Sequence, residues 1–138
     1  MAKKSRTRKR LSRSQLHDLD IEIGFLEGVV CRDPGFVDAL QLLSDDYILR
    51  GHFELGVNID ERLALLMPED PQVHFNLACS YSLTGQARAA ADALSAAIDH
   101  GYNDWKWIAR EASLEHLRQA PAYQTLLAKI QAIMTPSY

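Results

Sequence analysis

The chain has little of what catalysis, membrane spanning or secretion requires. It has two cysteines, Cys31 and Cys79, and they form no Cys-x-x-Cys pair. Neither a disulfide framework nor a thiol metal site is therefore expected. Between positions 2 and 15 the only large apolar residue is Leu11, so the apolar core of a secretory signal is missing. No stretch approaches the roughly 20 apolar residues of a membrane span. A cytoplasmic protein with reduced thiols and no transmembrane segment is expected. His-Glu-x-x-His, Gly-x-Ser-x-Gly and a glycine-rich phosphate loop are all absent. His52-Phe-Glu54 has the His-x-Glu of zinc deaminases, but the Pro-Cys-x-x-Cys that completes such a site is not there. The five histidines fall in different predicted helices or turns. The expectation is a non-enzymatic protein with no cofactor and no metal.

What is present is helical periodicity. The 138 residues are 47% hydrophobic with only seven glycines and five prolines, enough for one all-α domain with its own core. Leu16, Leu19, Ile23, Leu26 and Val30 recur at alternating steps of three and four, which predicts a helix over 14–32. Ile21, Phe25 and Val29 widen that face, and Gly24 and Gly28 suggest close packing of a neighbouring helix. Asp33-Pro34 stops the helix, because proline disfavours helical geometry in the residue before it. Further helices are predicted over 35–50 (Leu40, Leu43, Tyr47, Ile48 inward), 53–67 (Leu55, Ile59, Leu63, Leu66 inward) and 71–83. An alanine-rich helix follows over 86–100, and an amphipathic one with Tyr123, Leu126, Leu127, Ile130 and Ile133 spans 121–134. Gly51, Gly85 and Gly101 read as C-terminal caps.

Charge divides the chain. The net charge is −3, yet Lys3, Lys4, Arg6, Arg8, Lys9, Arg10 and Arg13 occupy the first 13 residues without a single acid. The other 125 residues hold 8 basic and 18 acidic side chains, a net of −10. Residues 1–13 read as a disordered basic tail on an acidic domain at 14–138. Such a tail attracts RNA phosphates or an anionic membrane surface in a salt-sensitive way. With no aromatic among the cations, stacking on bases is not indicated. A solubilising arm, or one folded back on the acidic body, is the plainer alternative.

A shift of 34 residues superposes Pro34 on Pro68, Leu43 on Leu77, Tyr47 on Tyr81, Gly51 on Gly85 and Gly56 on Ala90. Residues 37–70 (Leu40, Leu43, Tyr47, Gly51, Gly56, Pro68) and 71–104 (Leu77, Ala78, Tyr81, Gly85, Ala90, Leu94, Ala97) resemble two tetratricopeptide repeats, whose period this is. Residues 14–34 resemble the second helix of a preceding repeat. Residues 105–138 are similar to the closing segment of bacterial tetratricopeptide arrays, in which Trp105 and Trp107 cap the last hairpin. His74 and Tyr102 depart from the usual tryptophan and closing proline. The resemblance implies an all-α, right-handed stack of antiparallel helical hairpins with a helical C-terminal cap. It also implies an adaptor that binds a protein or peptide on its concave face. Asn76 falls where such repeats place a peptide-contacting asparagine, with Cys79 and Ser82 beside it and Phe75 either there or packed below. Lys106 and Arg110 fall where some members clamp a C-terminal carboxylate, although Gln41 and Asp45 in the first repeat do not complete that clamp. The alternative function is a ribosome- or RNA-associated protein recruited through the tail.

Overall fold

The computed structural model describes residues 10–135. Among them there are eight α-helices, one 3-10 turn and no strand. In chain order they are α1 (Arg13–Arg32), α2 (Val37–Arg50), α3 (Phe53–Leu66), α4 (Pro71–Leu83) and α5 (Ala87–Asp99). Then come α6 (Trp105–Arg110), the 3-10 turn Ala112–Leu114, α7 (Glu115–Arg118) and α8 (Ala122–Met134). From α1 to α5 each helix packs on the next, and α4 also receives the 3-10 turn and α7 while α8 lies on α5.

Local chemistry sets the ends. Ser12 accepts from the Gln15 amide while the Gln15 side chain accepts from the Ser12 amide, a reciprocal cap that starts α1. Leu11 packs on the core just ahead of it, so residues 11–13 belong to the folded body rather than to the tail. Asp70 accepts from the amides of Gln72 and Val73, with Pro71 in the first turn of α4. Gly51, Gly85 and Gly101 all take positive φ (89°, 76° and 108°), as a left-handed cap requires. After Gly51 and Gly85 the cap bonds repeat at the 34-residue interval: His52 N to Tyr47 O at 2.8 Å, and Gln86 N to Tyr81 O at 2.9 Å.

The same interval governs side chains. Tyr47 donates to Glu27 at 2.5 Å and Tyr81 donates to Glu61 at 2.6 Å, so each tyrosine ties its helix to the preceding one. Burial and the nearby carboxylate push the Tyr81 hydroxyl up to about 12, and the same causes raise Tyr47.

Two apolar clusters form. Leu19, Ile23, Leu26 and Val30 join Leu40, Leu43, Tyr47, Ile59, Leu63 and Val73 in the first. Helices α4 and α5 with Ile108, Leu114, Leu117, Tyr123, Leu126 and Ile130 build the second, against which Trp105 and Trp107 pack. Tyr102, in place of a closing proline, is stacked on Phe75 with 4.4 Å between ring centres. Ala64 of α3 touches both clusters. At the same seam lies Asp60, 1% exposed, which accepts from Ser44 of α2 and Ser80 of α4 at 2.5 Å each.

Several apolar positions depart from the sequence reading. Ile21 and Phe25 are 61% and 70% exposed, because no described helix lies on their side of α1. Gly24 and Gly28 have nothing within 4 Å of where a Cβ would stand, so they mark open surface and not close helix packing. Leu55, Leu66 and Ile133 are likewise exposed. Gly56 is the glycine that does face a neighbour, with Ile48 of α2 against it.

Two carboxyl groups yield predictions. Replacing Asp60 by Ala leaves two buried hydroxyls without their acceptor, and urea denaturation should show a loss of about 3 kcal/mol. The triple change Ser44→Ala, Asp60→Leu, Ser80→Ala should recover most of it, since an apolar replacement of a buried polar network is often neutral. Asp46 of α2 is buried; removal from water, then the Glu22 carboxyl of α1 and then Asp45, push its carboxyl up from 3.8 to about 7. Between those values the folded chain holds a proton that the unfolded chain has released. Stability therefore falls as pH rises through this window. Asp46→Asn should raise the urea midpoint relative to wild type at about pH 8 and lose that advantage at about pH 4.

Candidate functional site

Among the described residues, the cleft that best joins polar chemistry to a shaped surface lies between α2 and α4. It encloses about 230 Å³ and is lined by Gln41, Ser44, Asp45, Asp60, Leu63, Gln72, Val73 and Asn76. Asp60 and Leu63 of α3 are buried and make its floor, while Gln41, Asp45 and Gln72 are exposed at its walls. Helical spacing explains the lining. Gln41 and Asp45 stand one turn apart on α2, and Gln72 and Asn76 one turn apart on α4. The Gln72 side-chain nitrogen donates to Asn76 Oδ1 at 3.0 Å, which orients the Asn76 amide. The side-chain amides of Gln41, Gln72 and Asn76 thus share the cleft with the Asp45 carboxylate, and among the described residues no lysine or arginine lines it. Such a surface can hydrogen-bond an extended backbone and favours a cationic group over an anionic one.

The residues expected at a binding face do not all meet here. Asn76 does. Cys79 is 0% exposed and Ser82 1%, and the Ser82 hydroxyl accepts from the Leu117 amide at 3.1 Å. Phe75 is buried against Tyr102. The reason is that α4 is covered by α3, α5, the 3-10 turn and α7, so little of it faces solvent. Lys106 and Arg110 are exposed on α6, but neither lines the cleft. That helix ends after six residues, and the Arg110 guanidinium lies over the Trp107 ring, 5.2 Å from its centre. The 34-residue register that would align them with Asn76 is broken at Glu111, whose carboxylate caps the 3-10 turn by accepting from the Ala112 amide. The carboxylate clamp is therefore not assembled.

Of the tail cations, Lys3, Lys4, Arg6, Arg8 and Lys9 lie outside the described residues. Arg10 is exposed, and Arg13 is the first residue of α1. The hollow between α5 and α8 contains Lys129, which donates to Ser95 Oγ at 2.7 Å and pairs with Asp99 at 2.6 Å. That lysine fastens α8 to α5. His74 and His100 stack at 5.2 Å, a juxtaposition with no signal in the sequence, and the His74 ring is 2.7 Å from the Pro68 carbonyl. Among the described residues no three His, Cys, Asp or Glu side chains are placed to hold a metal ion, and no helix is long and apolar enough to cross a membrane. Gln72 and Asp60 were the cleft residues that sequence reasoning passed over. The spacing of Gln72, one turn before Asn76, was the available signal for the first.

Comparison with known proteins adds a partial similarity. Over 61 residues, 44% of this chain, the sequence is 39% identical to a chloroplastic protein of Arabidopsis thaliana. The matched segment covers 18% of that protein's length. No family model matches the chain, and no solved structure matches it.

Proposed function

We propose that the chain is a non-enzymatic interaction module of tetratricopeptide type, a stack of helical hairpins that receives an extended segment of a partner protein in the cleft between α2 and α4. The observation that carries this reading is the lining itself: Gln41, Gln72 and Asn76 beside Asp45, over a floor fixed by Asp60. Support for the repeat comes from the Tyr47–Glu27 and Tyr81–Glu61 hydrogen bonds and from the Gly51 and Gly85 caps, each pair 34 residues apart. An extended peptide has unpaired backbone donors and acceptors that side-chain amides can satisfy, and Asp45 selects for a basic side chain on it. A basic segment suits the acidic domain as a whole, because long-range attraction raises the association rate. The seven cations at the N-terminus support a second reading, recruitment to RNA through the tail.

Affinity capture followed by mass spectrometry separates the two. The full chain is compared with Asp45→Lys/Asn76→Ala and with a chain lacking residues 1–9, which keeps Leu11 and the Ser12 cap. Partners lost in the double variant and retained without the tail support the cleft. Partners lost with the tail and regained at low salt overturn it in favour of the tail.

A further inference from the structure

The side of α1 turned away from α2 carries a stripe at alternating steps of three and four: Asp18, Ile21, Phe25, Gly28 and Arg32, all exposed. It lies opposite the buried Leu19, Ile23, Leu26 and Val30. Phe25 is 70% exposed and Ile21 61%, whereas Ile59 and Ala93, which stand 34 and 68 residues after Phe25, are each 7% exposed. The repeat thus covers this position wherever a neighbouring helix is at hand.

The geometry points to a second copy of the same chain as the occupant, with the two α1 helices antiparallel across a two-fold axis at Phe25. The stripe is complementary to itself in that orientation and in no parallel one. Seven residues, about 10 Å along the helix, separate Phe25 from Asp18 on one side and from Arg32 on the other. Antiparallel pairing therefore sets Asp18 of each copy against Arg32 of its mate and turns each Ile21 toward the bare backbone at Gly28. A parallel pair would set Asp18 on Asp18 and Arg32 on Arg32. The knob, the notch and both charges lie on one surface, as an isologous contact requires. One helix pair buries less than a standard interface, so a dissociation constant of about 50 µM is expected. The acids that face α2 stay engaged there: Asp20 with Arg50, and Glu27 with Tyr47. This contact does not depend on the cleft or on its ligand.

Sedimentation equilibrium of the full chain at low salt tests the inference. A reversible monomer–dimer equilibrium should appear, and Phe25→Glu should abolish it with the helical circular dichroism unchanged. Asp18→Arg and Arg32→Asp should each weaken the dimer about tenfold or more, because each turns two attractive contacts into repulsive ones. The charge-swapped double variant should return it to near wild type. A monomer at every concentration, a dimer indifferent to Phe25→Glu, or a double variant no stronger than the single ones would overturn it.

Discussion

Burying a carboxylate is unfavourable by several kcal/mol unless its oxygens are met by donors. Asp60 is met on both sides, by Ser44 of α2 and by Ser80 of α4. That one side chain fixes three helices relative to one another. It does so at the seam between the two apolar clusters, where Ala64, one turn along α3, touches both. The central helices can slide past each other only by breaking short hydrogen bonds in a site with almost no water. The cleft between α2 and α4 inherits its width from the same contact, since Asp60 is its floor.

Much of this fold was legible in the sequence. Proline at 34 and 68 and glycine at 51, 85 and 101 end helices by backbone geometry alone, and the all-helical character follows from the apolar spacing. The core of α2 was legible for the same reason, each large apolar residue having one face to pack. Helix α4 was harder. It is enclosed by neighbours on most sides, so Phe75, Cys79, Ser80 and Ser82 are buried along with Leu77, and no period separates wall from core. Asp60 was hidden for the opposite reason. A lone acid in a helix reads as solvated surface, and its burial became readable only once the 34-residue register set it level with Leu26 and Leu94. On α1 the error ran the other way: Ile21 and Phe25 look like core by type but have no described helix beside them.

The candidate site was legible in part. Asn76 stands in the cleft as its register position implies, with Gln41 and Asp45 across from it. Lys106 and Arg110 do not join them, because Glu111 ends α6 and the chain turns into a 3-10 segment. A repeat register carries across a hairpin only while the helices keep their length. The cleft that remains is acidic and amide-lined, which favours a basic extended segment over the acidic tail that a two-cation clamp would take.

The central claim is that Asp60 makes α2, α3 and α4 one cooperative unit. Native-state hydrogen exchange with increasing urea measures this directly. Amides of Leu43 to Tyr47, Ile59 to Leu63 and Leu77 to Tyr81 should open with one common free energy and one urea dependence. Opening of α2 and α3 at a distinctly lower free energy than α4 would contradict it.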